Sequence, residues 1–227
     1  MLKKIKKILK KKNKYKIVCL TAYSKSFSKL LDKYCDIILV GDSMANVLYG
    51  MANTHNISLN NIIQHSISVR KGINKSLLVV DMPKGSYNEP IQAKKNAKLI
   101  LKKTNCDAVK IESNRKNFKI IRAIVKAKIP VMGHIGYTPQ FKKKFKVAGE
   151  NSYEIKNLVK ESILIEKAGA FSIVLECLTP KAAKLITNAL KIPTIGIGSS
   201  SYCDGQILVT DDMLGLSGFY PKFVKKY

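Results

Sequence analysis

The chain has 227 residues, 41 basic against 15 acidic side chains, a formal charge of +26 and 46% hydrophobic content. That apolar fraction excludes disorder as the main state, and no apolar run approaches the roughly 18 residues a membrane span needs. The five cysteines (Cys19, Cys35, Cys106, Cys177 and Cys203) are scattered and contain no C-x-x-C pair. This excludes a disulfide framework or zinc ribbon and points to a reducing, cytoplasmic setting.

Residues 1–16 hold nine lysines, with Leu2, Ile5, Ile8 and Leu9 at helical spacing. This predicts a lysine-rich amphipathic helix over residues 1–15, laid across one end of the domain rather than anchored in a membrane. Ile17–Leu20 is too short for the apolar region of a signal peptide. Of the basic residues only Arg70, Arg115 and Arg122 are arginine. Nucleic-acid readers lean on arginine's planar fork, so the scattered lysines read as surface filler and no specific nucleic-acid partner is expected.

From residue 16 onward, short β-branched runs alternate with segments of helical period. Lys16–Thr21 reads as a strand, followed by a helix carrying Phe27, Leu30, Leu31 and Tyr34. Strand Asp36–Gly41 precedes helix Ser58–Lys71, and strand Ser76–Met82 precedes a helix from about Glu89 to Lys103. Strand Ala108–Glu112 leads to a helix around Ile120, Ile121, Ile124 and Val125. Strand Pro130–Ile135 is followed, after a long loop, by a helix that opens on Ile155, Leu158 and Val159 and stops at Ala168-Gly169. Strand Phe171–Cys177, helix Lys181–Leu190, strand Pro193–Gly198 and strand Gln206–Thr210 complete the series.

Continuous apolar strands separated by helices mean a parallel sheet buried on both faces. Eight such units in one chain predict a closed (β/α)8 TIM barrel, compact and without room for the last helix; a doubly wound open sheet is the competitor. No Pro/Gly/Ser-rich linker divides the chain, so residues 1–227 read as one barrel domain.

In such a barrel the C-terminal strand ends face the active-site mouth. Those ends carry Gly41-Asp42-Ser43, Asp81-Met82-Pro83, Lys110 with Glu112, Gly133-His134-Ile135-Gly136 and Glu176-Cys177. Singly, each has a structural explanation: a helix cap, a satisfied buried histidine, or a Lys110–Glu112 pair two apart on one strand face. Together, several carboxylates without a Cys/His cluster describe a hard-cation site suited to Mg2+. A Lewis acid beside a carboxylate base supports removal of a proton next to the carbonyl of an α-keto acid. Lys110 and His134 are candidates to stabilise the resulting negative charge and Glu176 is the candidate base. Gly196-Ile197-Gly198 lacks the third glycine of a dinucleotide fingerprint, and Cys177 has no basic partner to activate it.

Several segments carry a family likeness: TAYS at 21–24, LVGDSMANVLYG at 39–50, VDMPKGSY at 80–87, AVKIE at 108–112, PVMGHIGYTPQ at 130–140, AGAFSIVLEC at 168–177, IPTIGIGSSSYCDGQILV at 192–209 and PKFVKKY at 221–227. In order and over nearly the whole chain, they resemble the 3-methyl-2-oxobutanoate (ketopantoate) hydroxymethyltransferase family. The resemblance implies a barrel of the phosphoenolpyruvate/pyruvate-like superfamily and a role in pantothenate synthesis. By the same likeness, Asp42 and Asp81 would hold Mg2+, with Glu112 completing the set directly or through water. Asp42, Ser43, Asp81 and Lys110 would contact the α-keto acid, with His134 near it. Glu176 would take the C3 proton, and the enolate would attack the one-carbon unit of 5,10-methylenetetrahydrofolate. Members are cytoplasmic homo-oligomers, often decamers.

The chain departs from the family pattern at Met82-Pro83-Lys84 (usually Leu-Pro-Phe), at Lys143-Lys144-Phe145 (usually opening on a glycine pair) and at Ser199–Ser201. Set against the family likeness, it is expected to lack the usual C-terminal helices. The competing readings are another Mg2+-dependent α-keto-acid lyase of the superfamily and a non-catalytic, lysine-rich barrel retained as a binding protein.

Overall fold

The computed structural model describes residues 2–113, 117–142, 144–218 and 221–225; Arg115, Lys143 and the last two residues of the chain lie outside them. Helix α1 (Leu2–Lys10) precedes β1 (Ile17–Thr21), α2 (Lys25–Leu31), β2 (Ile37–Val40), α3 (Met44–Val47) and α4 (Leu59–Arg70). Then come β3 (Leu77–Asp81), α5 (Pro90–Thr104), β4 (Ala108–Lys110), α6 (Phe118–Lys126), β5 (Val131–Gly136) and α7 (Ser152–Lys167). Strand β6 (Ser172–Glu176), α8 (Pro180–Ala189), β7 (Thr194–Ile197), β8 (Gly205–Leu208) and α9 (Thr210–Met213) close the order. All neighbouring strands pair in parallel and β8 returns to β1, so the sheet is a closed eight-stranded barrel. The doubly wound alternative falls.

Local chemistry places the helices. Ser58 caps α4 in a reciprocal capping box with Asn61, Asn151 caps α7, and Thr179 followed by Pro180 opens α8; each supplies an acceptor to otherwise orphaned N–H groups. Two expectations need correction. Thr210 begins α9 rather than ending strand eight, and a single helical turn occupies the last helix position. The short α3, directly after Asp42-Ser43, has too few residues for a periodic signal.

Strand side chains alternate between two cores, as the two-residue pleat demands. In β3, Leu77 and Val79 point into the barrel, whereas Leu78 and Val80 pack outward under the helices. Ile17, Cys19, Ile37, Leu39, Ala108, Met132, Val174, Ile195 and Ile207 fill the interior with them. The same alternation carries Asp81, Lys110, Glu112, His134 and Glu176 to the inner face at the upper strand ends.

At the lower end α1 lies across the barrel, with Ile5 and Ile8 buried in the inner core and Leu9 exposed. Its lysines reach residues that precede the strands. Lys4 Nζ donates to Ser76 O at 2.7 Å and stands 3.6 Å from Asp107. Just past the helix, Lys11 pairs with Asp36 at 2.6 Å and Lys12 with Asp204 at 2.8 Å. Among the described residues, no helix is long and apolar enough to cross a membrane.

Candidate active site

The upper ends of β2 to β6 converge on one cluster. Gly41, at the end of β2, leaves room for it: a Cβ there would stand 2.9 Å from Ser43 Oγ and 3.5 Å from Asp81 Oδ2. The Asp42 backbone N–H then donates to Asp81 Oδ2 at 3.0 Å, tying the two strand ends together. Asp81 and Lys110 are register partners across β3 and β4, and Lys110 Nζ lies 2.9 Å from Asp81 Oδ1. This short contact is a buried, charge-assisted pairing of the ammonium with Asp81. Lys110 therefore faces Asp81 rather than forming the Lys110–Glu112 pair that strand spacing alone allows.

Glu112 Oε2 instead accepts the backbone N–H of Gln140 at 3.0 Å, and Glu112 Oε1 lies 3.8 Å from His134 Nδ1. His134 Nε2 stands 3.1 Å from Glu176 Oε2. The side chains of Asp81, Glu112 and His134 are at most 3% exposed, whereas that of Glu176 is 18% exposed and opens toward the mouth. Ser43 is half-buried and its Oγ lies 2.9 Å from Tyr23 Oη.

Electrostatics follow from burial and crowding. Burial, then the neighbouring Asp81, pushes the Asp42 carboxyl up to about 7, against the opposing pull of Lys110. Burial and Asp42 likewise raise Glu112. Lys110 is penalised by burial, but Asp81, Asp42 and Glu112 outweigh that and hold it charged well above the ordinary lysine range. Burial and the Lys110 charge hold His134 below the usual imidazole range, hence neutral at pH 7. Three carboxyl groups thus crowd around one ammonium, and the mutual repulsion that raises Asp42 and Glu112 is what a hard divalent cation, with its preference for all-oxygen donors, would relieve. Among the described residues, no three His, Cys, Asp or Glu side chains are gathered tightly enough to hold an ion by themselves. Such an ion would take one or two carboxylates and fill its remaining positions with water or substrate oxygens, which is the habit of Mg2+.

Two other features read from the sequence are filled by the protein itself. A Cβ on Gly198 would meet Phe223 at 2.7 Å and one on Gly196 would meet Cys203 Sγ at 3.1 Å, so this loop cradles the chain's own side chains. Cys177 is buried, and burial followed by Glu176 pushes its thiol up to about 12, so it is not a thiolate at neutral pH. A cavity of about 160 Å³ lined by Ser113, Phe118, Asn157 and Leu164 lies between α6 and α7 and gathers none of these groups.

The sequence reading missed Gln140, which is 1% exposed. Its Nε2 donates to Asp42 Oδ2 at 2.8 Å and to Met82 O at 3.1 Å, and its Oε1 accepts from Tyr87 Oη. The available signal was its place at the end of GHIGYTPQ, a polar residue in a segment otherwise tied to a strand.

Residues 2–227 match the family model of ketopantoate hydroxymethyltransferase. The chain is 51% identical over 227 residues to the 3-methyl-2-oxobutanoate hydroxymethyltransferase of Pelagibacter ubique (strain HTCC1062), covering 100% of this chain and 88% of the relative. It is 46% identical over 230 residues to that of Anaplasma marginale (strain St. Maries), covering 100% and 83%. Among solved structures, the fold is similar to phosphoenolpyruvate phosphomutase from Streptomyces platensis subsp. rosaceus, with TM-score 0.71, 11% identity and 92% and 80% of the two chains covered. It is also similar to 2,3-dimethylmalate lyase, a PEP mutase/isocitrate lyase superfamily member, with TM-score 0.69, 16% identity and 93% and 82% covered. The strand-end carboxylates and lysine, the closed barrel and the whole-chain match agree: this chain belongs to the ketopantoate hydroxymethyltransferase family.

Proposed function

We propose that the chain transfers a hydroxymethyl group from 5,10-methylenetetrahydrofolate to 3-methyl-2-oxobutanoate, with the strand-end cluster as its active site. The family membership supports the reaction. The observation that carries the site is the convergence of Asp42, Asp81, Lys110, Glu112, His134 and Glu176 at the upper ends of five adjacent strands.

Glu176 is the base. Its carboxylate is the one that opens toward the mouth, within reach of a substrate resting on the buried groups. The C3–H bond breaks, the proton passes to Glu176, and the electron pair forms the C2–C3 double bond, with charge on the keto oxygen. Lys110 offers an ammonium beside Asp81 for the keto acid's developing or resident negative charge. Neutral His134, 3.1 Å from Glu176, orients the base without neutralising it. Water opens the methylene bridge of the folate, breaking both C–N bonds and leaving tetrahydrofolate with its two nitrogens protonated; C3 then bonds to the released one-carbon unit, whose oxygen comes from that water and takes up the proton held by Glu176. Asp42 and Asp81, with Glu112 directly or through water, are the residues that would hold Mg2+. When bound, the ion supplies Lewis-acid polarisation of the keto carbonyl. Ser43, held by Tyr23, and Asp42 line the keto-acid site. We further place the protein in the cytoplasm as a homo-oligomer, in keeping with the family likeness and five free, buried cysteines.

Protein supplied with Mg2+ should exchange the C3 hydrogen of 3-methyl-2-oxobutanoate for deuterium without folate, read by proton NMR. Glu176→Gln should slow that exchange by about 10²–10⁴-fold. A folded, Mg2+-supplied wild type that exchanges nothing would overturn the reading.

A further inference from the structure

Gln140 lies in the loop between β5 and α7, yet it touches the ends of three other strands. The loop is wound there into one tight turn, with the N–H groups of Phe141 and Lys142 donating to Thr138 O at 3.0 and 2.9 Å. From that turn the Gln140 backbone N–H reaches Glu112 beyond β4, and its side chain reaches Asp42 beyond β2 and Met82 O beyond β3. Tyr87 Oη closes the set by donating to the amide oxygen. The hydrogen-bonding inventory fixes the amide's orientation. Two acceptors, Asp42 Oδ2 and Met82 O, require the NH2, and the phenol requires the carbonyl. A flipped amide would set oxygen against oxygen in a buried space.

We infer that Gln140 is a positioning residue that sets the spacing of Asp42 and Glu112 and so tunes the affinity of this site for its divalent cation. The inference rests on the reading of Asp42, Asp81 and Glu112 as the cation-holding residues. Gln140 grips one oxygen of Asp42 from the side and, through its own backbone, one oxygen of Glu112. Neither carboxylate can rotate or spread away from the other while this clip is in place. Two crowded acids that would otherwise repel are thereby held ready for a shared positive charge, so little rearrangement is left for the ion to drive. Tyr87 acts one step further out by fixing the amide that does the gripping.

The test is the affinity for MgCl2, measured by titration calorimetry on the full chain, with Mn2+ binding read by electron paramagnetic resonance. Gln140→Met keeps the length and the backbone N–H but removes both amide donors. It should weaken Mg2+ binding by about 10–100-fold, the usual effect of losing a group that orients a metal ligand. C3–H exchange should recover when MgCl2 is raised toward saturation. Tyr87→Phe deletes one hydrogen bond at constant shape and should weaken binding by about 2–10-fold. Circular dichroism on the same samples establishes folding. A folded Gln140→Met with wild-type Mg2+ affinity overturns the inference; if that variant does not fold, Tyr87→Phe with wild-type affinity does so. A wild type that binds no Mg2+ or Mn2+ instead removes the cation site itself, and the inference with it, a result distinguishable because the parent protein fails.

Discussion

Asp204 offers a sharp test of what holds the lower end of the barrel. It directly precedes β8 and its side chain is 3% exposed. Its carboxylate pairs with Lys12 at 2.8 Å and accepts the backbone N–H groups of Asn13 at 3.0 Å and Thr194 at 2.9 Å. Replacing Asp204 with alanine removes the counter-charge of a lysine side chain only 9% exposed, leaving it the Thr187 carbonyl at 2.8 Å, and leaves those N–H groups without their acceptor. Removing one member of a buried ion pair costs about 3–5 kcal/mol. At about 2–4 °C per kcal/mol for a chain of this size, the melting temperature should fall by about 6–20 °C. Asp204→Asn keeps an acceptor for the backbone donors and should lose less. Lys12→Met combined with Asp204→Ala should cost less than the sum of the two single changes, because the pair is in contact. Urea unfolding followed by circular dichroism gives the free energies. C3–H exchange per folded molecule should stay at the wild-type level, since Asp204 sits at the opposite end of the barrel from Glu176. An Asp204→Ala variant within about 0.5 kcal/mol of wild type would match an ordinary surface substitution and refute the reasoning.

Two further outcomes follow from the same packing. Gly72→Ala should destabilise by about 1–3 kcal/mol or more in urea, because its Cβ would clash with Ser28 Oγ and lie 2.5 Å from the Lys25 carbonyl; an unchanged midpoint would contradict the close approach of α2. On acidification, burial alone would raise the Asp32 and Asp204 carboxyls. The Ser76, Asn74 and Lys75 N–H groups in one case, and Lys12 with the Thr194 and Asn13 N–H groups in the other, more than reverse this and hold both below the usual range. Their contribution is present above the unfolded-state value of about 3.9 and is lost as pH falls through the lower folded-state values. Urea midpoints should therefore drop below about pH 4, and the Asp32→Asn, Asp204→Asn double variant should show a shallower acid limb; an equally steep one would count against these two groups.

Much of this architecture was legible because two periodicities carry it. Continuous runs such as DIILVG and SLLVVDM mark strands buried on both faces, and helical spacing between them marks the outer layer. Once strand ends are located, a barrel brings Asp42, Asp81, Glu112 and Glu176 to one rim without further information. What stayed hidden depends on three-dimensional stagger. Lys110 faces Asp81 because of the β3–β4 register, whereas chain spacing alone favours Glu112. Gln140 belongs to a loop, where no period applies, and its partner Asp42 is 98 residues away in sequence. The turn α3 is shorter than any amphipathic pattern.

The lysines that make the sequence look indiscriminately basic include a few with fixed addresses. Lys4 touches the approach to β3 and β4, Lys11 the approach to β2, and Lys12 the approach to β8. The opening segment thus works as a drawstring, fastening strand feet on both sides of the ring by one short stretch of backbone. The position of Lys4 is not interchangeable with its neighbours: moved by one residue along α1, that lysine would swing through about 100° around the helix and lose its foothold, while overall charge and composition stayed the same.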